Sequence, residues 1–239
     1  MRIAVYGGSF NPPHIGHVEA AKAAVKELCA DKLISMPVAK PPHKEQEPGT
    51  PSAKERYLLA LLAFGTLPNT ELSDIEIRRT GTSYTVDTLL ELKKLYPNDE
   101  LFLLMGSDMF MSFETWKDYK RIFELATLAA FSRKSDEAAD IHTRAEYYAK
   151  TYGASVREIG LVPTEVSSTE LREQLKNRDG NNFLPESVYN EIIKHRYYGA
   201  KPNFEWLRAN SYVYLDEKRI PHVMGCEQEA VRLAERWGA

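Results

Sequence analysis

The sequence predicts an α/β protein, doubly wound around a parallel sheet. Two observations carry this. Short apolar runs that end on glycine or proline alternate along the chain with segments of helical period. The N-terminal part reads strand, helix, strand, a βαβ unit, which requires a parallel sheet and a right-handed crossover.

The first element sets the pattern. Residues 2–6, RIAVY, make a short, mostly apolar run of the kind found in fully buried strands. Gly7 and Gly8 end it, where a backbone without Cβ atoms turns sharply and approaches a ligand closely. Ser9, Phe10, Asn11, Pro12 and Pro13 form a rigid loop, because each proline fixes its own φ and biases the residue before it. An alanine-rich helix follows over 18–28, and His14 and His17 share one face at its start. A strand, a glycine turn and a helix N-terminus favour anions, since free N–H groups and the helix dipole converge there. A Gly-Gly turn by itself specifies little and a lone histidine is most often structural. Two histidines in H-I-G-H directly after G-G-S-F-N-P-P point to function.

Residues 32–37 read as the second strand. The P-P-H-K run, Pro41 to Lys44, follows at its C-terminal end, the edge where open α/β sheets bind ligands. A solvated proline-rich loop explains His43 and Lys44 equally well. Ser52 and Glu55 form a capping box ahead of the apolar-periodic helix RYLLALLAFG. Residues 70–78 read as a strand. The hydroxyl-rich turn with Ser83, Tyr84 and Thr85 precedes a helix over 86–95, and N-capping accounts for most of its composition.

Residues 101–105, LFLLM, read as a buried strand ending at a second glycine turn, Gly106, Ser107 and Asp108. A helix carrying Trp116 and Tyr119 is expected over 115–125, a strand over 127–131, a helix over 142–152 and a last strand over 155–159. V-S-S-T-E-L-R then opens another helix, with Ser167 and Glu170 as a second capping box. Capping alone explains the hydroxyls there. Ser167, Ser168, Thr169 and Arg172 equally make a phosphate cradle of N–H groups, hydroxyls and a guanidinium fork. Pro185 suits the first residue of a final helix. G-x-x-x-x-G-K-[ST] is absent, and so is G-x-G-x-x-G after the first strand, so phosphate binding would use other means.

Composition narrows the class. Of 239 residues, 43% are hydrophobic and 27% charged, an ordinary globular balance, and the net charge of −3 gives no basic excess for a nucleic-acid partner. Cys29 and Cys226 offer neither metal spacing nor a disulfide framework, which suggests a reducing compartment. The first residues read as a strand and not as a signal peptide, and no apolar run is long enough for a membrane span. The expectation is a cytoplasmic protein.

With G-G-S-F-N-P-P-H-I-G-H and S-S-T-E-L-R both in view, the chain resembles the nucleotidyltransferase superfamily marked by H-x-G-H and a late S-x-T-x-x-R. It resembles more closely the bacterial nicotinate-nucleotide adenylyltransferases. That resemblance spans residues 1 to about 199 and includes P-P-H-K, S-Y-T-V-D-T-L, G-S-D and Trp116. It implies a Rossmann-like nucleotidyltransferase fold and a reaction of ATP with nicotinate mononucleotide. It also implies roles: His14, His17, Lys44 and Arg172 at the reacting phosphates, and Gly7, Gly8, Ser9 and Phe10 in the phosphate loop. Ser167, Ser168, Thr169 and Arg172 would hold the β- and γ-phosphates, and Gly106 and Asp108 the adenosine. Ser9, Ser83, Tyr84, Thr85, Trp116 and Lys117 would hold the nicotinate nucleotide, with Trp116 stacked on the ring. Mg²⁺ would arrive with ATP, without a dedicated protein metal site. A homo-oligomer is compatible with this reading.

Residues 200–239 lie beyond the usual length of that family. Pro221 to Gly225 and the amphipathic run to Trp237 resemble the first helix of an HD-domain phosphohydrolase, with His222 where that family has its first metal ligand. A plain C-terminal extension is the other reading. The division expected is therefore 1–199 and 200–239, without hydrolase activity. Other readings of the whole are transfer to nicotinamide mononucleotide or phosphopantetheine, or a non-catalytic nucleotide-binding module attached to an HD hydrolase. Class I aminoacyl-tRNA synthetases share H-I-G-H, but K-M-S-K-S is absent here.

Overall fold

The computed structural model describes residues 1–40, 49–132, 137–161 and 164–238. Its strands are β1 (Arg2–Gly8), β2 (Lys32–Pro37), β3 (Thr70–Leu72), β4 (Glu100–Gly106), β5 (Thr127–Phe131) and β6 (Val156–Ile159). They form one sheet in the order β3-β2-β1-β4-β5-β6, and every neighbouring pair is parallel. The helices are α1 (Ile15–Glu27), α2 (Ala53–Phe64), α3 (Ile75–Arg78), α4 (Thr85–Leu95), α5 (Ser107–Met111), α6 (Tyr119–Leu125), α7 (Ala138–Tyr152), α8 (Ser168–Lys176), α9 (Glu186–His195), α10 (Phe204–Tyr212) and α11 (Ile220–Trp237).

Each central strand is apolar on both faces because each face has its own core. In β1, Ala4 and Tyr6 join a cluster with α1, α2, α8 and α9, while Ile3 and Val5 join one with α4, α6 and α7. β4 splits the same way: Phe102 and Leu104 on one side, Leu101, Leu103 and Met105 on the other. This two-residue alternation within a continuous apolar run identifies a strand covered on both sides. After β3 the chain returns past β1 to lay down β4, so the order reverses between β1 and β4. The gap at the C-terminal ends of those two strands is the switch point where open α/β sheets bind ligands.

Three expected elements differ. The strand expected over 70–78 stops at Leu72, and Ile75–Arg78 is a helical turn. Its polar residues favour the turn: Ser73 Oγ accepts from the Ile75 N–H, and Arg78 pairs with Asp74 at 2.9 Å. The helix expected over 115–125 begins at Tyr119; Phe113–Thr115 is a 3-10 turn and Trp116 is extended. Thr115 Oγ1 donates to the Ser112 carbonyl at 2.7 Å, a local bond that competes with helix, and Asp118 at φ 50° separates the two pieces. Pro185 is the cap residue of α9 and not its first turn, and α9 is followed by two more helices. The Ser52–Glu55 capping box is present. Its Ser167–Glu170 counterpart is half formed, since the Glu170 carboxylate takes the Ser167 hydroxyl and not the backbone N–H.

Beyond α9 the chain stays in contact with the sheet domain. Asn203 caps α10 with its side-chain oxygen, and its N–H donates to the Tyr189 hydroxyl at 2.7 Å. Trp206 packs edge-on against Tyr189 at 5.1 Å. None of the described side chains of α11 is buried, and an Arg208–Glu227 pair at 2.6 Å links it to α10. Among the described residues, no helix is long and apolar enough to cross a membrane.

Candidate active site

A cleft of about 900 Å³ opens at the switch point. Its floor is Tyr6 to Asn11 from the end of β1 and Leu103 to Gly106 from β4. One wall is the start of α8, the other the Ser83–Thr85 turn with Trp116 and Lys117.

The β1 end supplies the loop and both histidines. Gly8 packs closely on the Phe10 ring: a Cβ there would sit 3.0 Å from it, so the ring would have to give by a few tenths of an ångström. Phe10 itself has φ 43° and is 2% exposed, with its ring 5.0 Å from that of Phe64 and 5.3 Å from that of His17. His14 caps α1, and its imidazole centroid lies 3.7 Å from that of His17. The His14 backbone N–H donates to His17 Nδ1 at 3.2 Å, so neutral His17 carries its ring proton on Nε2. Gly16, the glycine of H-I-G-H, packs against the opposite wall. A Cβ there would stand 2.9 Å from the Thr164 carbonyl oxygen.

α8 docks on the same loop from the other side. Arg172 Nη1 donates to the Asn11 carbonyl at 3.0 Å and to the Ser168 carbonyl at 3.3 Å. Ser168 Oγ donates to the Pro12 carbonyl at 3.1 Å, and Arg172 Nη2 reaches Thr169 Oγ1 at 3.4 Å. The lead-in to α8 is tied to α1, where Glu19 accepts from the Thr164 N–H at 2.7 Å and from its hydroxyl at 3.1 Å. The early and late motifs, separated by some 150 residues of sequence, are therefore one structure held by backbone carbonyls.

On the facing wall Ser83, Tyr84 and Thr85 lead into α4 with Tyr84 at its cap. Lys117 Nζ pairs with Asp87 at 3.3 Å and lies 4.4 Å from the Tyr84 ring centre. Its charge is therefore already engaged within this wall. Trp116 is half-buried and leans on Phe113 at 5.1 Å, which leaves part of the indole available to the cleft.

Every described residue that the sequence assigned to the nucleotide site lines this cleft: Gly7, Gly8, Ser9, Phe10, His14, His17, Ser83, Tyr84, Thr85, Gly106, Asp108, Trp116, Lys117, Ser167, Ser168, Thr169 and Arg172, whereas His222 lies apart from it on the exposed α11. Lys44 and His43 lie outside the described residues.

Two buried charged residues come as additions. Arg56 of α2 is 1% exposed and donates to the Ser9 carbonyl at 2.7 Å and the Ala39 carbonyl at 3.0 Å. The signal for it was its phase: Arg56 occupies the apolar stripe of α2 with Leu59, Ala60 and Ala63. Glu76 of α3 is 5% exposed and accepts from Thr88 Oγ1 at 2.8 Å through Oε1. Its Oε2 has no hydrogen-bond partner among the described residues. Burial pushes this carboxyl above the usual carboxylate range, against the pull of the Thr88 and Ser83 hydroxyls and Arg79. Reading 70–78 as a strand hid its position.

In chemical terms the cleft suits phosphates on one wall and a flat ring on the other. A family model described as cytidylyltransferase-like matches residues 5–174. A protein of Thermus thermophilus named "Probable nicotinate-nucleotide adenylyltransferase" is 40% identical over 199 residues, covering 83% of this chain and 100% of the relative. A relative of the same name from Thermoanaerobacter is 35% identical over 200 residues, covering 83% of this chain and 94% of its own. The chain belongs to the cytidylyltransferase-like family, and within it to the nicotinate-nucleotide adenylyltransferases. Its fold is also that of the Plasmodium falciparum nicotinic acid mononucleotide adenylyltransferase solved with NaAD, with TM-score 0.68 at 18% identity, over 84% of this chain and 98% of that one.

Proposed function

We propose that this protein transfers the adenylyl group of ATP to nicotinate mononucleotide, giving nicotinate adenine dinucleotide and pyrophosphate. The observation that carries the proposal is the meeting of the H-I-G-H start of α1 and the S-S-T-E-L-R start of α8 on one loop, inside a chain 40% identical to a relative of that name.

An oxygen of the acceptor's phosphate attacks the α-phosphorus of ATP. The bond from that phosphorus to the α,β-bridging oxygen breaks, and pyrophosphate leaves with the electron pair. A phosphate monoester is already mostly dianionic near neutral pH, its second pKa being about 6, so the step needs no general base. Positioning and charge neutralisation remain to be supplied. His17 donates from Nε2 to the reacting phosphate and His14 stands beside it. Arg172, Ser167, Ser168 and Thr169 hold the leaving pyrophosphate, with Lys44 as a further cation. Gly106 and Asp108 receive the adenosine. Trp116 offers its indole face to the cationic pyridinium. The N–H groups at the start of α4 and of Lys117 take the carboxylate.

Among the described residues no three or more His, Cys, Asp or Glu side chains cluster as a metal site. Mg²⁺ would arrive with ATP, held mainly by its phosphates, as this ion commonly is. When bound it neutralises charge on the transferring and leaving groups. Mass spectrometry of a reaction with the two substrates tests the proposal. The dinucleotide and pyrophosphate are expected in equal amounts, whereas hydrolysis of ATP without dinucleotide contradicts it.

A further inference from the structure

Arg56 has no part in the reaction as set out above. It is nonetheless a cation with 1% exposure lining the same cleft. Among the described residues no carboxylate pairs with it, and its guanidinium donates to backbone carbonyls. Burial pulls its pKa down from the ordinary arginine value, with the nearby Tyr198 hydroxyl acting the other way. A buried charge without a counter-charge is unfavourable for the fold, and an apolar side chain of similar volume would serve packing better. Its retention in an apolar stripe suggests that the counter-charge comes with a ligand.

The geometry around it says which group it acts on. Along the loop, the Gly8 carbonyl accepts from the Val38 N–H at 2.9 Å, Ser9 from Arg56, Asn11 from Arg172, and Pro12 from Ser168. Every one of these carbonyls is drawn toward the protein. Across a trans peptide the N–H points opposite to the C=O, so the N–H groups of Ser9 and Phe10 are turned the other way. Phe10 at φ 43° lies in the left-handed region, which an aromatic residue rarely adopts without being held there. Its ring is locked in the core on one side, and Arg56 holds the preceding peptide on the other.

We propose that Arg56 is a positioning residue for phosphate transfer: by gripping the Ser9 and Ala39 carbonyls it aims the Ser9–Phe10 amide at the reacting phosphates and places a fixed positive charge behind them. The ligand class is a di- or triphosphate anion. This rests on the adenylyl-transfer reading, and the test separates the two.

Initial rates of pyrophosphate release from ATP and nicotinate mononucleotide are compared for wild type, Arg56→Gln and Arg56→Lys, with circular dichroism and Tm as the check of folding. Binding of inorganic pyrophosphate alone is titrated in parallel. Arg56→Gln is expected to lower kcat by about 100-fold, more than it raises the ATP KM, and to weaken pyrophosphate binding by about tenfold. Arg56→Lys keeps the charge but not the fork and is expected about tenfold below wild type in kcat. A folded Arg56→Gln variant with wild-type kcat and pyrophosphate affinity overturns the proposal, since a merely structural residue would change Tm alone. If Arg56→Gln does not fold, a wild-type kcat in Arg56→Lys overturns it. If wild type itself releases no pyrophosphate with this acceptor, the adenylyl-transfer reading falls. The pyrophosphate titration then still decides on Arg56: weakened binding supports it and unchanged binding overturns it.

Discussion

At the scale of single residues the site works through hydrogen bonds that set orientation. The His14 N–H on His17 Nδ1 leaves Nε2 as the donor, which suits stabilising charge on a phosphate and not removing a proton. His17→Ala should therefore lower kcat by about 100-fold or more while both KM values change far less. Steady-state kinetics check this, and an equal loss in affinity would show that His17 only binds. Glu76 is a residue whose chemistry the sequence did not reveal, because its burial depends on α3 turning inward where a strand was expected. Its carboxyl is raised in the folded state, so the folded protein holds that proton more tightly than the unfolded chain does. The associated stability is present below the unfolded pKa and is lost as pH rises through the folded one. Relative to Glu76→Gln, wild type should thus lose Tm as pH rises from the acid side. Parallel Tm–pH curves for the two proteins would contradict this.

At the scale of elements, the period-two strands and the two motif-bearing helix starts were legible because local chemistry and tertiary position agree there. Where they disagree, legibility fails. Ser112, Thr115 and Asp118 break what apolar spacing alone extends into one helix, and Trp116 is presented from extended backbone as a result. The contact between α1 and the lead-in to α8 was not legible either, since nothing local in H-I-G-H says what its glycine faces. Gly16→Ala places a Cβ 2.9 Å from the Thr164 carbonyl oxygen, a separation that forces the backbone to move. That shift would carry Ser167 to Arg172 away from the place proposed above for the leaving pyrophosphate. An ATP KM raised by about tenfold or more is expected from rate measurements, and an unchanged KM would mean the lead-in adjusts freely.

At the scale of the whole molecule, the sheet order reverses between β1 and β4, and the residues chosen from the sequence gather at that reversal. Alternating β and α segments indicate such a sheet, but strand order depends on which crossover passes which neighbour, and residue letters do not carry that. The C-terminal helices divide energetically. Trp206 packs on the core while α11 exposes Met224, Val231, Leu233 and Trp237. Deleting residues 217–239 should leave kcat unchanged and Tm within about 2 °C, whereas Trp206→Ala should lower Tm by several degrees, about 2–4 °C per kcal/mol for a chain of this size. Thermal melts of the two variants check the division. The account as a whole stands on the acceptor. Pyrophosphate release from ATP, followed in parallel with nicotinate mononucleotide, nicotinamide mononucleotide and phosphopantetheine, is its most direct test. The account predicts the fastest turnover with nicotinate mononucleotide, and no turnover with that acceptor while another is used would contradict it.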